Sequence, residues 1–266
     1  MNRASAGFSL TELLVAMLMM MLVMVAVVGA FTAQNRTHIQ QAESVALEEN
    51  LRMGVGTVAD ELRRAGYGLP PIFLSAWVPW VSGFTTNPRI VQGSGSNPDS
   101  LSVASCTASA VATLSANVAK DATSLTLSST SGLNTTNRRL IRIGATENAH
   151  VKSVSGSSVT IDTDPGRSSN QGLSRGYPAG TPICRVDVVT FDVATDASTG
   201  VPALRLNRNQ GAGTEPVVEG ISDFQATTIE SGRRYAITLT ARSERNDPLL
   251  GSFLTRQMST GVTLKN

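Results

Sequence analysis

Apolar and polar positions fall into distinct regimes along this chain. From Phe8 to about Phe31 nearly every position is apolar, and Leu13 to Asn35 contains no Asp, Glu, Lys or Arg. As a helix at 1.5 Å per residue, that run spans roughly 36 Å, enough for a ~30 Å hydrocarbon core. From residue 36 the pattern turns amphipathic. Leu47, Leu51, Val55, Val58, Leu62 and Ala65 recur at spacings of three and four and so share one helix face. Glu43, Glu48, Glu49, Arg52, Asp60, Glu61, Arg63 and Arg64 occupy the other faces. Gly66, Gly68, Pro70 and Pro71 predict the stop. Phe8–Ala65 therefore reads as one helix of roughly 87 Å. Its first half needs an apolar surrounding, and its second half packs on a globular region. The stripe of the second half is core packing and binds no ligand.

After Asp99 the period shortens to two. Ser124–Ser129, Arg139–Ile143, His150–Val154 and Ser158–Asp162 are short alternating runs separated by Ser-, Gly- and Asn-rich turns. They predict a small β-rich insertion at about residues 107–182, with Tyr177–Pro182 returning the chain to a main sheet. Stronger strands follow at Arg185–Val193, Ala203–Asn207, Ser222–Glu230, Tyr235–Ala241 and Ser252–Leu264. In the fourth of these, Tyr235, Ile237, Leu239 and Ala241 face one way, towards the helix. The expected fold class is α+β, a long N-terminal helix packed on an antiparallel β-sheet with a small β-rich insertion. Residues 69–98, with Trp77, Trp80 and prolines 70, 71, 79, 88 and 98, read only as an irregular connection.

Composition adds limits. A chain of 266 residues makes one large domain or two small ones, and 41% hydrophobic residues support a true core. Aromatics are 5%, and Ser, Thr, Ala, Gly and Val dominate after residue 80, which favours strands and turns. A scattered net charge of +2 gives no footprint for a nucleic-acid partner. Arg3 is the only charge before the apolar run, so the N-terminus is expected in the cytoplasm and the bulk exported.

Glu12 stands against this background. A carboxylate at the bilayer centre costs roughly 2.5–3.5 kcal/mol on translocon scales, less towards the interface. Its place in the first turns of a helix, at the positive end of the dipole, offsets part of that cost. A cationic partner would offset more. An ordinary secretory signal peptide competes as a reading, with Val28-Gly29-Ala30 as its cleavage site. Its apolar core runs to about 7–15 residues, shorter than this run, and it has no use for Glu12.

The stretch Gly7-Phe8-Ser9-Leu10-Thr11-Glu12-Leu13-Leu14 resembles the processing site of type IV prepilins and type II secretion pseudopilins. The resemblance covers residues 1–35. It implies a leader at 1–7 removed by a prepilin peptidase after Gly7, and methylation of the new Phe8 amine. It also implies that Glu12 is needed for filament assembly. The freed Phe8 amine of a neighbouring copy would lie at the same depth and supply the cationic partner that Glu12 calls for. The segment from Leu51 through Asp60-Glu61-Leu62-Arg63-Arg64-Ala65-Gly66-Tyr67-Gly68, with the final Thr263-Leu264-Lys265-Asn266, is similar to PilW-type minor pilins. Unlike many major pilins, the apolar half carries no proline, only Gly29.

The implied organisation is a leader (1–7), a transmembrane or filament-core helix (8–33), its amphipathic second half (34–68) and an exported β-rich region (69–266). The implied role is a minor pilin that primes assembly and sits in a tip complex, supporting adhesion or motility. Its implied partners are other minor pilins, the major pilin, the prepilin peptidase and a large tip adhesin. It would sit in the inner membrane, with a periplasmic C-terminal domain, before entering the pilus. A pseudopilin of the GspJ sort has the same N-terminus. A membrane-anchored binding protein outside any filament is the third reading, which leaves Glu12 without a use.

Other chemistry is sparse. Cys106 and Cys184 flank the insertion, and in an oxidising exterior they are expected to form a disulfide. Closing a loop of about 79 residues is worth roughly 4 kcal/mol in the chain-entropy model. Asp162-Thr-Asp164-Pro-Gly166 has the look of a calcium loop, but Leu173 stands where the bidentate Glu belongs, so a turn is expected. His38 and His150 have no third partner at ligand spacing. Gly93-Ser-Gly-Ser is not followed by the Lys-Ser/Thr of a phosphate loop, and no nucleophile elbow occurs. No catalytic residue, metal or cofactor is expected.

Overall fold

The computed structural model describes residues 9–69, 87–94, 97–106, 111–136, 140–208, 213–247 and 251–264. Among the described residues, helix α1, Leu10–Arg63, is followed by strands, apart from a 3-10 turn at Glu230–Gly232. The chain divides into two units, Met1–Ala46 and Leu47–Asn266, with the boundary inside α1.

In the first unit, the described side chains of α1 lie open as far as Ala42. Leu18, Met20, Val25 and Phe31 are each at least 60% exposed, although apolar side chains of this size are normally buried. The stretch is long and apolar enough to cross a membrane.

In the second unit, α1 buries Leu47, Leu51, Val55, Val58 and Leu62, the face its sequence period marks, and adds Gly54 and Ala59. The helix closes through tightened bonds, from the Arg64 N–H to the Glu61 carbonyl and from the Ala65 N–H to the Leu62 carbonyl, each 3.0 Å. It thus ends two residues before the expected Ala65. Gly66 and Gly68 then take φ of 74° and 66°, left-handed values that a side chain would oppose.

The strands are β1 (Arg89–Val91), β2 (Ser100–Cys106), β3 (Ala112–Thr113), β4 (Ser124–Thr126), β5 (Leu140–Ile143), β6 (Glu147–Ser155), β7 (Ser158–Asp162), β8 (Pro182–Thr195), β9 (Pro202–Asn207), β10 (Thr214–Glu219), β11 (Ile221–Ile229), β12 (Arg234–Asp247) and β13 (Ser252–Thr263). They form two antiparallel sheets. Ten strands run in the order β1-β2-β8-β5-β6-β7-β4, with β9, β10 and β3 joined through β8. The other three run β11-β12-β13.

Strand β8 organises the larger sheet. Its first residues pair with β3 and β5, and its later residues with β2 and β9. Such a central strand is covered on both faces, so Ile183, Val188, Val189 and Phe191 are all buried. The chain reaches the second sheet through Gly220, which takes φ 78° and donates its N–H to the Pro202 carbonyl at 2.7 Å.

Two apolar cores result. One gathers the α1 face with Leu101, Phe191, Leu204, Phe224, Ile237 and Leu239. Tyr235, Ile237, Leu239 and Ala241 of β12 all point into it. A Cβ built on Gly54 would come within 2.8 Å of Leu239 Cδ1, so glycine lets the helix approach the strand closely. The second core lies wholly within residues 111–183. It packs Leu114, Leu125, Ile141, Ile143, Val159, Ile161 and Ile183.

The strand spans differ from expectation at β6, which starts at Glu147, at β8, which starts at Pro182, at β4, which ends at Thr126, and at β12, which runs six residues past Ala241 to Asp247. Strands β1, β2, β3 and β10 have no counterpart among the expected runs. β2 reads SLSVASC, poor in branched residues, yet it is buried beside β8. β10 contains Pro216, which an outermost strand tolerates at its bulge.

Candidate functional site

Among the described residues, the N-terminus of α1 carries the most specific polar arrangement of the first unit. Ser9 donates its backbone N–H to Glu12 Oε2 at 3.0 Å, and Glu12 donates its N–H to Ser9 Oγ at 3.2 Å. This reciprocal pair is a capping box, which satisfies two of the orphan N–H groups at a helix start. Ser9 Oγ lies 2.8 Å from Thr11 Oγ1. Glu12 therefore has a partner inside its own chain, and its charge sits against N–H dipoles at the positive helix end. The Ser9-x-x-Glu12 spacing is itself the sequence signature of this box, and a reading that weighs only the cost of burying charge passes over it. Gly7 and Phe8, the processing positions, lie outside the described residues.

Downstream of that cap, Leu10 to Phe31 present large apolar side chains outward on every side of the helix. No face is reserved for polar groups until the amphipathic stretch begins. This is the pattern of a helix whose surroundings are themselves apolar.

In the second unit the polar groups lock loops in place. Cys106 and Cys184 are joined by a disulfide, with Cα atoms 5.9 Å apart. The bond lies beside the end of α1: Cys106 donates its N–H to the Tyr67 carbonyl at 2.8 Å, and Gly66 donates to the Ala104 carbonyl at 2.9 Å. Arg142, the cross-strand neighbour of Cys184, donates through a guanidinium nitrogen to the Gly68 carbonyl. Helix end, β2, β5 and β8 thus meet at this bridge.

Asp99 is buried and acts as a clasp. It accepts the N–H of Gly93 on one oxygen and that of Ala226 on the other, both at 2.8 Å. Glu147, also buried, accepts the Ser174 N–H at 2.6 Å and the Tyr177 hydroxyl at 2.9 Å. Burial raises the Tyr177 phenol above 10.0; the Thr146 hydroxyl opposes this and the Glu147 carboxylate adds to it.

The Asp162-to-Gly166 segment is a turn in which each carboxylate is spent on the protein. Asp162 accepts the N–H groups of Asp164 and Gln171 at 3.1 and 3.0 Å and pairs with Lys152 at 3.4 Å. Burial pushes its carboxyl up, but those two N–H groups and the Lys152 ammonium outweigh it and hold it below 3.8. Asp164 accepts from Gly166 and pairs with Arg167. His38 is exposed on α1 in the first unit, and His150 is buried in β6 opposite Asp162 in the second. Among the described residues, no group of three or more His, Cys, Asp or Glu is placed to hold a metal ion.

Residues 2–28 match the family model of the prokaryotic N-terminal methylation motif. No curated protein and no solved structure matches the chain. The motif and the α+β architecture support a type IV pilin-like protein, and the family that carries this motif is structural rather than catalytic. The long apolar N-terminal helix fits membrane anchoring, as the motif does.

Proposed function

We propose that this chain is a minor pilin of the type IV pilus, a PilW-like subunit that primes filament assembly from the inner membrane and joins a complex at the tip. The observation that carries this reading is the overlap of two features. The methylation motif at residues 2–28 covers the start and most of the length of a helix stretch, Leu10 to Phe31, whose apolar side chains are exposed on all sides. A simple anchor needs the second feature only.

In this reading a prepilin peptidase cuts after Gly7, and the freed Phe8 amine is methylated. The helix waits in the membrane with its C-terminal region in the periplasm, where Cys106 and Cys184 oxidise. On recruitment, the apolar stretch exchanges lipid for the helices of other pilins. Glu12 then pairs with the Phe8 amine of the adjacent subunit, because an unpaired charge in an apolar filament core is costly.

The capping box permits a clean test. Glu12→Gln keeps an acceptor for the Ser9 N–H and removes the charge, whereas Glu12→Ala removes both. In a deletion strain, Glu12→Gln is expected to insert and be cleaved like the natural protein yet to be missing from sheared filaments. Glu12→Ala is expected to share that defect and also to loosen the helix start, because the Ser9 N–H loses its acceptor. Normal piliation with normal incorporation of Glu12→Gln contradicts the pairing. Intact pili with lost protein secretion in the deletion strain contradicts the pilus assignment and favours a type II secretion pseudopilin.

A further inference from the structure

The β12–β13 ladder slips in register between Arg242 and Asn246. Ser243, Glu244 and Arg245 there stand against Leu254 alone, so the strand bulges. Ser243 is buried and stitches the bulge. Its Oγ accepts the Leu254 N–H at 3.0 Å, and its hydroxyl donates to the Arg245 carbonyl at 2.7 Å. Bulges of this kind re-aim side chains that a regular strand would lay flat.

A rigid turn faces the bulge. The Asp196 carboxylate accepts the N–H groups of Ser198 and Thr199 at 2.8 and 3.0 Å. Gly200 donates its N–H to the Asp196 carbonyl at 2.9 Å, and Asp196 donates to the Val201 carbonyl at 3.0 Å. The Ser198 hydroxyl, with the Thr199 and Ser198 N–H groups, holds the Asp196 carboxyl down at about 2, so the turn keeps its charge over the ordinary pH range.

Arg242 joins the two structures. Its guanidinium lies over the Phe253 ring, 4.4 Å from the centroid, and donates to the Gly200 carbonyl at 3.2 Å. Its other guanidinium N–H groups make no hydrogen bond among the described residues. Between turn and bulge lies a pocket of about 80 Å³, lined by residues 199–202, Arg242, Ser243, Glu244 and Phe253. Both walls are fixed by bonds within the chain, so an occupant meets a site that is already formed.

Size and charge define that occupant. Pockets for cofactors and metabolites run to about 300–1,000 Å³. This one admits the tip of a single side chain. A guanidinium fork held by a ring and a carbonyl matches a planar carboxylate through two parallel bonds, and little side-chain freedom remains to be lost. Glu244 stands exposed at the rim, without a hydrogen bond or ion pair among the described residues. Its charge opposes any occupant with more than one negative charge.

We propose that this pocket receives the carboxylate of an aspartate or glutamate side chain from a partner protein, held by Arg242, with Glu244 selecting against multiply charged anions. The contact uses the second unit alone and is independent of the filament reading.

The test uses the full-length chain in detergent micelles, with nitrogen-15 in its arginines. The Arg242 Nε–H resonance is identified by its loss in Arg242→Lys. The probes are blocked tripeptides with a central aspartate, glutamate or glutamine, and inorganic phosphate. The acidic peptides are expected to move that resonance to saturation in the millimolar range, and the glutamine peptide to leave it in place. Glu244→Gln is expected to tighten binding of the acidic peptides by about two- to fivefold, the size of one exposed charge contact. Glu244 is exposed, so this variant decides the matter with the fold intact, whether or not Arg242→Lys disturbs the bulge. A resonance that no acidic peptide moves overturns the proposal, since an arginine that only braces the turn needs no occupant. So does an equal shift with the glutamine peptide, weaker binding by Glu244→Gln, or inorganic phosphate that binds more tightly than either acidic peptide.

Discussion

Two stretches of one helix carry opposite instructions. Leu10 to Phe31 is apolar all round and exposed. Leu47 to Leu62 is apolar on one face only, and that face is buried. The backbone geometry is the same, so secondary structure cannot account for the difference. What differs is where the apolar surface finds its partner. The second stretch finds it in the strands of its own chain. The first has none among the described residues of its own unit, and it must be matched by lipid or by other helices. A helix of uniform apolarity therefore speaks of a surrounding, whereas a striped helix speaks of a fold.

Perturbations of the two stretches should separate accordingly. The largest effect is expected where the second stretch ends. Replacing Cys106 or Cys184 by Ala removes the bridge beside Tyr67 and Gly68. Its loop closure is worth about 4 kcal/mol. Denaturant unfolding should show that loss in the β-rich region, while membrane retention stays unchanged. A loss of retention would mean that the two stretches are not separable.

Next come core truncations. Leu62→Ala, at a fully buried position, is expected to cost about 2–5 kcal/mol. Leu18→Ala, at a position 60% exposed, is expected to leave the unfolding midpoint of the β-rich region where it was. Equal effects at both positions would erase the comparison.

The reverse experiment puts a charge in the first stretch. Val23→Lys is expected to oppose membrane insertion by about 2.5–3.5 kcal/mol near the centre of a span. Fractionation of cells should find less of it in the membrane, with the disulfide-bonded fold intact in what remains.

A smaller effect is expected from acid. The Asp162 carboxyl is held below its ordinary value, so its contribution to stability is present above the unfolded carboxylate range near pH 4 and is lost as pH falls through the folded value. The stability difference between the natural protein and Asp162→Asn should therefore shrink as pH drops below about 4. A difference that grows on acidification would reverse the sign and refute the role of the Gln171 and Asp164 N–H groups and of Lys152.

The sequence displays these features unequally. The buried face of α1 was legible because a 3.6-residue period survives over many turns. β12 was legible for the matching reason: strict alternation through Tyr235, Ile237, Leu239 and Ala241 fits a strand with one face buried. β2 was not, because Ser100, Ser102 and Ser105 break the apolar signal although the strand lies against β8. The division into two sheets was hidden as well. It depends on the turn at Gly220 and on the Asp99 clasp, and both are contacts between residues far apart in sequence. At the N-terminus, the tension around Glu12 was visible from composition alone. Its capping of Ser9 needed only the local spacing, but the amine proposed as its second partner belongs to another chain and leaves no trace in one sequence.

The central claim is that the apolar stretch is the start of a processed pilin-like subunit rather than a discarded signal or a plain anchor. Mass analysis of the N-terminal peptide from the protein in its native host tests this most directly. The account predicts a chain that begins at Phe8 and carries one methyl group on its α-amine. A chain that begins at Met1, or near Phe31 with the apolar stretch removed, would contradict it.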